Sequence, residues 1–216
     1  MNLHTTVGHE EGIMRIPSIV QHLVLVVGLA AAAAAAPAAD KTKKAAAPPD
    51  EKAAMEAMAK AATPGEAHTK LEPLVGSFDA KSRSWMDPSK PPEESSATSV
   101  RKWVLGNRFL QEDYSGTFMG QPFSGIGFQG YDNVNKHYVG SWMDTMGTAM
   151  MTSTGSINGK VLKSTSVMTD PVTGKSSKYT MTMMIADNDH HTLEMWGPDA
   201  AGKNVKWMEI SYTRRK

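Results

Sequence analysis

The sequence predicts an all-β domain, an antiparallel up-and-down β-barrel of about ten strands preceded by a short N-terminal helix. Three observations predict it. From Gly76 onward the chain is rich in Thr, Val, Tyr, Trp and Phe, the residues that suit a pleated, half-buried surface. Turn signals recur about every 8 to 12 residues. Connections that short join only antiparallel neighbours, and a meander of so many strands removes its exposed edges best by closing on itself. An open sandwich is the alternative.

Ahead of that domain, an apolar stretch from Ile16 to Ala36 carries no Asp, Glu, Lys or Arg and leads into Pro37, Ala38, Ala39 and Asp40. Residues 1–38 therefore read as a secretory signal peptide. Ala36-Pro37-Ala38 fits the small-x-small cleavage rule, so the mature chain would begin at Ala39. Glu10 and Glu11 suit a signal poorly, whereas Met14-Arg15 places a basic residue directly against the apolar run and makes a better start. An uncleaved anchor is the alternative that the length permits, but the alanine-rich tail favours cleavage. The expectation is an exported protein, periplasmic or secreted, with no stable membrane anchor after cleavage.

Residues 39–62 read as a linker rich in Ala, Lys and Pro. Within it, Asp50 to Ala62 favours helix, with Asp50 as N-cap. Met55 and Met58 are its only large apolar residues, a stripe too thin for a core helix, so a frayed helix is expected. The barrel domain occupies residues 63–216. Thr63-Pro64-Gly65-Glu66 matches a capping box with Pro at the first helical position, which predicts a short helix ending near Pro73. Leu71, Leu74 and Val75 would then close one end of the barrel. Turns are expected at Asp87-Pro88, Gly106-Asn107, Gly120-Gln121-Pro122, Asp132-Asn133, Asn158-Gly159, Asp170-Pro171 with Gly174, Asp187-Asn188 and Gly202-Lys203.

Composition narrows the partners. Lys and Arg number 23 against 22 Asp and Glu, so no net field attracts nucleic acid or an anionic membrane. Cysteine is absent, which excludes disulfides, thiolate metal sites, a Cys nucleophile and a lipid anchor on cysteine. Methionine is plentiful at 16 residues. Thioethers can hold a soft ion such as Cu(I), but these are interspersed with Thr and Ser, which favours a role in filling an irregular interior.

Longer blocks carry a resemblance. These are WMDPSKPPEES (Trp85 to Ser95), KWVLGNRFLQEDYSGTFMGQPFSGIGFQGYDN (Lys102 to Asn133), KHYVGSWMDTMGT (Lys136 to Thr148) and EMWGPDAAGKNVKWMEISYTR (Glu194 to Arg214). Together with Leu74-Val75-Gly76-Ser77-Phe78, similar to the G-x-W opening of lipocalin-type barrels, they resemble the bacterial family called domain of unknown function 1579. The resemblance covers essentially all of Thr63 to Lys216 and implies a calycin-like barrel. It carries no established reaction and hence no catalytic residues. Phe78 stands where Trp is usual and Asn107 where a second Gly is common; Asn tolerates positive φ, so that turn is expected to survive.

Candidate chemistry lies in pairs of residues two apart, which share a strand face. Each Trp has a charged residue at that spacing: Arg83/Trp85, Arg101/Trp103, Trp142/Asp144, Glu194/Trp196 and Trp207/Glu209. If the three acid/Trp faces point inward, Trp142, Asp144, Glu194, Trp196, Trp207 and Glu209 would form aromatic walls with carboxylates, suited to a cationic or polar aromatic ligand. If they point outward, the charges merely solvate the surface. Arg108, Glu112 and Tyr114 form a second constellation, with Glu or Tyr as general acid/base and Arg as anion clamp. A structural salt bridge near the barrel mouth is the plainer reading of the same three.

His190 and His191, with His137, Asp187 and Asp189, invite a metal, but neighbouring strand residues face opposite ways, so no metal site is expected. His137, at a strand start, is the one position considered for haem ligation, and nothing flanking it supports the idea. Gly125, Gly127 and Gly130 lie inside a strand pattern with no helix following, so they read as aids to barrel curvature rather than a phosphate loop. The function expected is a lipocalin-like barrel that binds a small, partly apolar ligand in a pocket of Trp, Tyr and Met. A cofactor-free lyase or isomerase and a structural envelope protein with a filled interior are the alternatives, and the size of the interior cavity discriminates among them.

Overall fold

The computed structural model describes residues 50–87 and 89–216; the expected signal peptide and the first part of the linker lie outside the described residues. Asp50 caps helix α1 (Glu51–Ala62), its side chain accepting from the Ala53 N–H at 2.8 Å. The helix buries none of its residues, as its thin apolar stripe implies, and it runs without a break from Glu51 to Ala62. Its far end is tied down. Thr63 Oγ1 donates to the Ala59 carbonyl at 2.7 Å, and the Asn133 amide donates to the carbonyls of Ala61 and Thr63. Two of the free C-terminal carbonyls are thereby satisfied, that of Ala59 by the cap residue and that of Ala61 by Asn133 between β4 and β5.

Thr63 consequently ends α1 instead of capping the next helix, which corrects the expected capping box. Helix α2 (Glu66–Thr69) starts at Gly65, whose N–H donates to His68 Nδ1 at 3.1 Å. A 3-10 turn (Glu72–Leu74) follows, and Leu71 and Leu74 are buried beneath it. They pack with Leu110, Tyr138, Leu162 and Ile185 into a plug across one end of the barrel. Tyr138 fastens the plug, its hydroxyl donating to the Ala67 carbonyl at 2.8 Å.

Ten strands follow: β1 (Gly76–Ser84), β2 (Glu93–Val104), β3 (Phe109–Phe118), β4 (Gln121–Asp132), β5 (His137–Asp144), β6 (Met151–Asn158), β7 (Val161–Thr169), β8 (Ser176–Ile185), β9 (His190–Pro198) and β10 (Asn204–Arg214). Each pairs antiparallel with the next, and β1 pairs with β10 to close the barrel, with Phe78 opposite Arg214 and Ser84 opposite Met208. The predicted fold class is therefore the observed one. Asn107 adopts φ of 64° in the β2–β3 turn, the left-handed conformation that Asn tolerates. One connection, between β5 and β6, falls at Thr145–Met150, where the sequence lacks the Asp, Asn and Pro that mark most of the others.

Alternation divides each strand. Phe78, Ala80, Tyr114, Ile210 and Tyr212 form a second buried cluster inside the wall. The glycines of β4 make room for neighbouring aromatic rings. A Cβ on Gly125 would stand 2.2 Å from the Trp142 ring, and one on Gly127 would stand 3.0 Å from it. Gly130 makes the same allowance for Phe109, at 2.6 Å. These positions are open so that neighbouring aromatic rings can lie flat on the sheet.

Candidate ligand cavity

Strand alternation leaves a cavity of about 460 Å³ inside the barrel. Leu74, Leu110 and Leu162 of the plug form its floor. Phe118, Phe123 and Trp142 stand on one side, and Met181, Met183, Met195 and Met208 on the other. Met146 and Met168 also line it, near the end opposite the plug, and Met146 is largely exposed. Much of the chain's methionine surplus thus surrounds an open space instead of filling one.

A polar cluster interrupts this apolar lining. Glu112 on β3 lies across from Arg101 on β2. Its Oε1 accepts from Arg101 Nη2 at 3.0 Å and from Ser99 Oγ at 2.6 Å. The Arg101 side chain is only 3 % exposed, with its guanidinium 4.2 Å from the Tyr212 ring centre and 5.4 Å from that of Phe78. Burial alone would lower the Arg101 pKa, but the Glu112 carboxylate and Tyr212 outweigh it and raise it, so the guanidinium stays charged. Arg101 Nη1 is enclosed and has no hydrogen-bond partner among the described residues. Glu112 retains 19 % side-chain exposure and lines the cavity, and its Oε2 accepts no hydrogen bond among the described residues.

Nearby hydroxyls are held protonated. Burial first, and the Glu112 charge second, push the Tyr114 phenol up to about 12. Tyr212 is raised well beyond its ordinary value by burial and by the same carboxylate. Tyr114 meets Trp142 edge to face at 6.0 Å, and Trp142 Nε1 donates to Asp144 Oδ2 at 2.7 Å. The other Asp144 oxygen accepts from the Met146 N–H at 2.9 Å. Among the lining residues the charged ones are Arg101, Glu112 and Asp144, one cation and two carboxylates.

The expected site residues separate accordingly. Glu112, Tyr114, Trp142 and Asp144 line the cavity. Arg108 does not join them: it sits beside the β2–β3 turn, where its Nη1 donates to the carbonyls of Leu105 and Gly106. The partner of Glu112 is Arg101. Glu194 and Trp196 do not line the cavity either, because Leu193 and Met195 take the inward positions of β9. Glu194 and Glu209 instead both bind the Lys206 ammonium, and Trp196 Nε1 donates to Glu194 Oε2 at 3.0 Å. Arg83 and Lys206 stand over Trp85 in the same group. Trp207 falls at a β-bulge in β10, away from the cavity lining.

The histidines are likewise dispersed. His137 pairs with Asp132 at the start of β5, and Tyr138, Gly140 and Trp142 hold the alternate face, so His137 is not in the cavity wall. His190 bonds Asp187 at 3.0 Å, while His191 is buried against the Phe78 ring. Among the described residues no three His, Asp or Glu side chains gather in a way that would hold a metal ion.

What the sequence reading missed was the role of Arg101, together with Ser99 and Tyr212. The signal for Arg101 was available: Arg101 and Glu112 are equidistant from the centre of the Gly106-Asn107 turn, so a tight hairpin there sets them opposite each other.

A family model described as "Protein of unknown function (DUF1579)" matches residues 63–214. No curated protein matches the chain. Among solved structures, that of Rv2717c from M. tuberculosis is similar, at 18% identity and a TM-score of 0.50, over 71% of this chain and 100% of that one. At that identity the likeness speaks to the barrel fold alone. A redesigned β-barrel is similar at 12% identity and a TM-score of 0.36, over 69% of this chain and 96% of its own.

Proposed function

For this chain, which belongs to the DUF1579 family, we propose a binding function: the barrel takes up a small, largely apolar ligand, and does so outside the cytoplasm. The cavity carries the proposal. Its volume of about 460 Å³ falls within the range of roughly 300–1,000 Å³ typical of small-molecule sites, and it combines a mainly apolar surface with scattered serines and the charged Arg101–Glu112 pair. Methionine and aromatic walls fit an apolar body of uncertain outline because thioether side chains re-pack at little cost. Entry would be past Met146 and Phe118, away from the helical plug.

Export rests on the apolar run of residues 16–36 and the small residues after it. The near balance of charge supports a small-molecule partner over nucleic acid. The lyase or isomerase reading is less well supported, since Arg108 is outside the cavity and burial pushes the Tyr114 phenol up to about 12, which leaves Glu112 alone of the three as an acid/base in the lining. A filled structural barrel sits badly with an interior of this volume. Native mass spectrometry of the protein purified from its own host tests the proposal. A bound small mass that is released on denaturation is expected; a bare chain that also takes up no apolar probe would contradict it.

A further inference from the structure

Resting on that binding reading, the chemistry of the ligand's polar end follows from which atoms of the cavity remain open. Arg101 is shielded from the cavity: Nη2 is bound to Glu112, the guanidinium faces are covered by Tyr212 and Phe78, and Nη1, though it has no hydrogen-bond partner among the described residues, is enclosed. No cation of the lining is therefore presented to a ligand anion. Asp144 is engaged too, one oxygen on the Trp142 indole N–H and the other on the Met146 N–H. Glu112 is different. Its Oε1 takes both donors, Ser99 Oγ and Arg101 Nη2, which leaves Oε2 without a hydrogen bond among the described residues, on a side chain that is 19 % exposed and lines the cavity.

We propose that the cavity selects ligands with a hydrogen-bond donor, a hydroxyl or an amine, at one end of an apolar body, and that Glu112 Oε2 accepts from that donor. Arg101 and Ser99 act as positioning residues, fixing the carboxylate so that its second oxygen points inward. A carboxylate-ended ligand is disfavoured twice. It would meet an acceptor where it needs a donor, and it would add a third anion to a lining that already holds two carboxylates and one cation. Tyr114 supports the arrangement as an aromatic wall beside the acceptor, its phenol neutral at physiological pH.

The test displaces N-phenylnaphthylamine, a fluorescent apolar probe with one N–H, from the full chain. The competitors are phenylbutylamine, phenylbutanol and phenylbutanoate, which share one apolar body and differ in the end group. The amine and the alcohol are expected to compete about tenfold or more better than the carboxylate. In Glu112→Gln, the amide oxygen can keep the Ser99 and Arg101 contacts while its NH₂ replaces Oε2, turning an acceptor into a donor. The preference should then shrink or reverse. If the wild-type protein binds the probe but ranks phenylbutanoate first or equal, the donor assignment is overturned and the binding reading stands. If the probe does not bind, both fall. The wild-type ranking decides the matter even where the Gln variant fails to fold, and far-UV circular dichroism reports on that folding.

Discussion

Arg101 and Glu112 face each other across the β2–β3 hairpin and join at 3.0 Å inside the barrel wall, with Ser99 on the same carboxylate oxygen. Arg101 is buried, so each partner depends on the other to offset the loss of water. Arg101→Leu leaves the Glu112 carboxylate without its counter-ion and is expected to cost about 3–5 kcal/mol. The double variant Arg101→Leu/Glu112→Leu should be less destabilised than the sum of the two single variants. Urea unfolding of the four proteins measures this coupling, and strict additivity would show that the pair does not act as a unit.

How far the sequence led can be judged from these same strands. Most hairpin turns were legible because Gly, Asn, Asp and Pro encode turn geometry locally. The Thr145–Met150 connection was not, since a single Gly147 among Met, Thr and Ala, with no Asp, Asn or Pro beside it, fits strands and loops alike. Glu112, Tyr114, Trp142 and Asp144 were found through spacing of two along a strand, but which face pointed inward was not fixed by Trp. In β9 the alternation of Leu193 and Met195 with Glu194 and Trp196 held the answer: the aliphatic and thioether residues took the interior, and Trp196 lay outside with Glu194 and Lys206. In β10 the bulge between Lys206 and Met208 breaks the alternation, and no residue type marks it.

Gly125 offers a second test, because a Cβ there would collide with the Trp142 ring at 2.2 Å. Gly125→Ala should displace the indole and lower stability by about 1–3 kcal/mol. Adding Trp142→Val should relieve much of that cost by removing the obstructing ring. Thermal unfolding of the single and double variants checks the rescue.

Acidification should weaken the fold well before the carboxylates titrate. Burial, aided by the Arg101 charge, lowers the His191 pKa from 6.5 to about 4. Above pH 6.5 the imidazole is neutral in both the folded and the unfolded chain, so it contributes no pH dependence. As pH falls from 6.5 towards 4, the unfolded chain takes up a proton that the folded one refuses, and stability declines, by about 3 kcal/mol in full. His68, lowered mainly by burial, acts in the same direction. Melting temperatures across this window should fall in the wild-type protein and flatten in His191→Leu.

The plug is expected to be a stability element. Leu71 is fully buried between the helical segment and the barrel floor, so Leu71→Ala should cost about 2–5 kcal/mol in chemical unfolding. Met55 on α1 is 65% exposed, and Met55→Ala should change stability by less than about 0.5 kcal/mol.

The central claim, that the barrel interior is a ligand site, is tested most directly by titrating N-phenylnaphthylamine into the wild-type protein and into Ser153→Phe/Ser164→Phe. Both serines line the cavity, and the added rings would occupy it. The account predicts saturable binding of one probe per wild-type chain with blue-shifted emission, and its loss in the filled variant at unchanged circular dichroism. Equal binding by the two proteins, or no binding by the wild type, would contradict it.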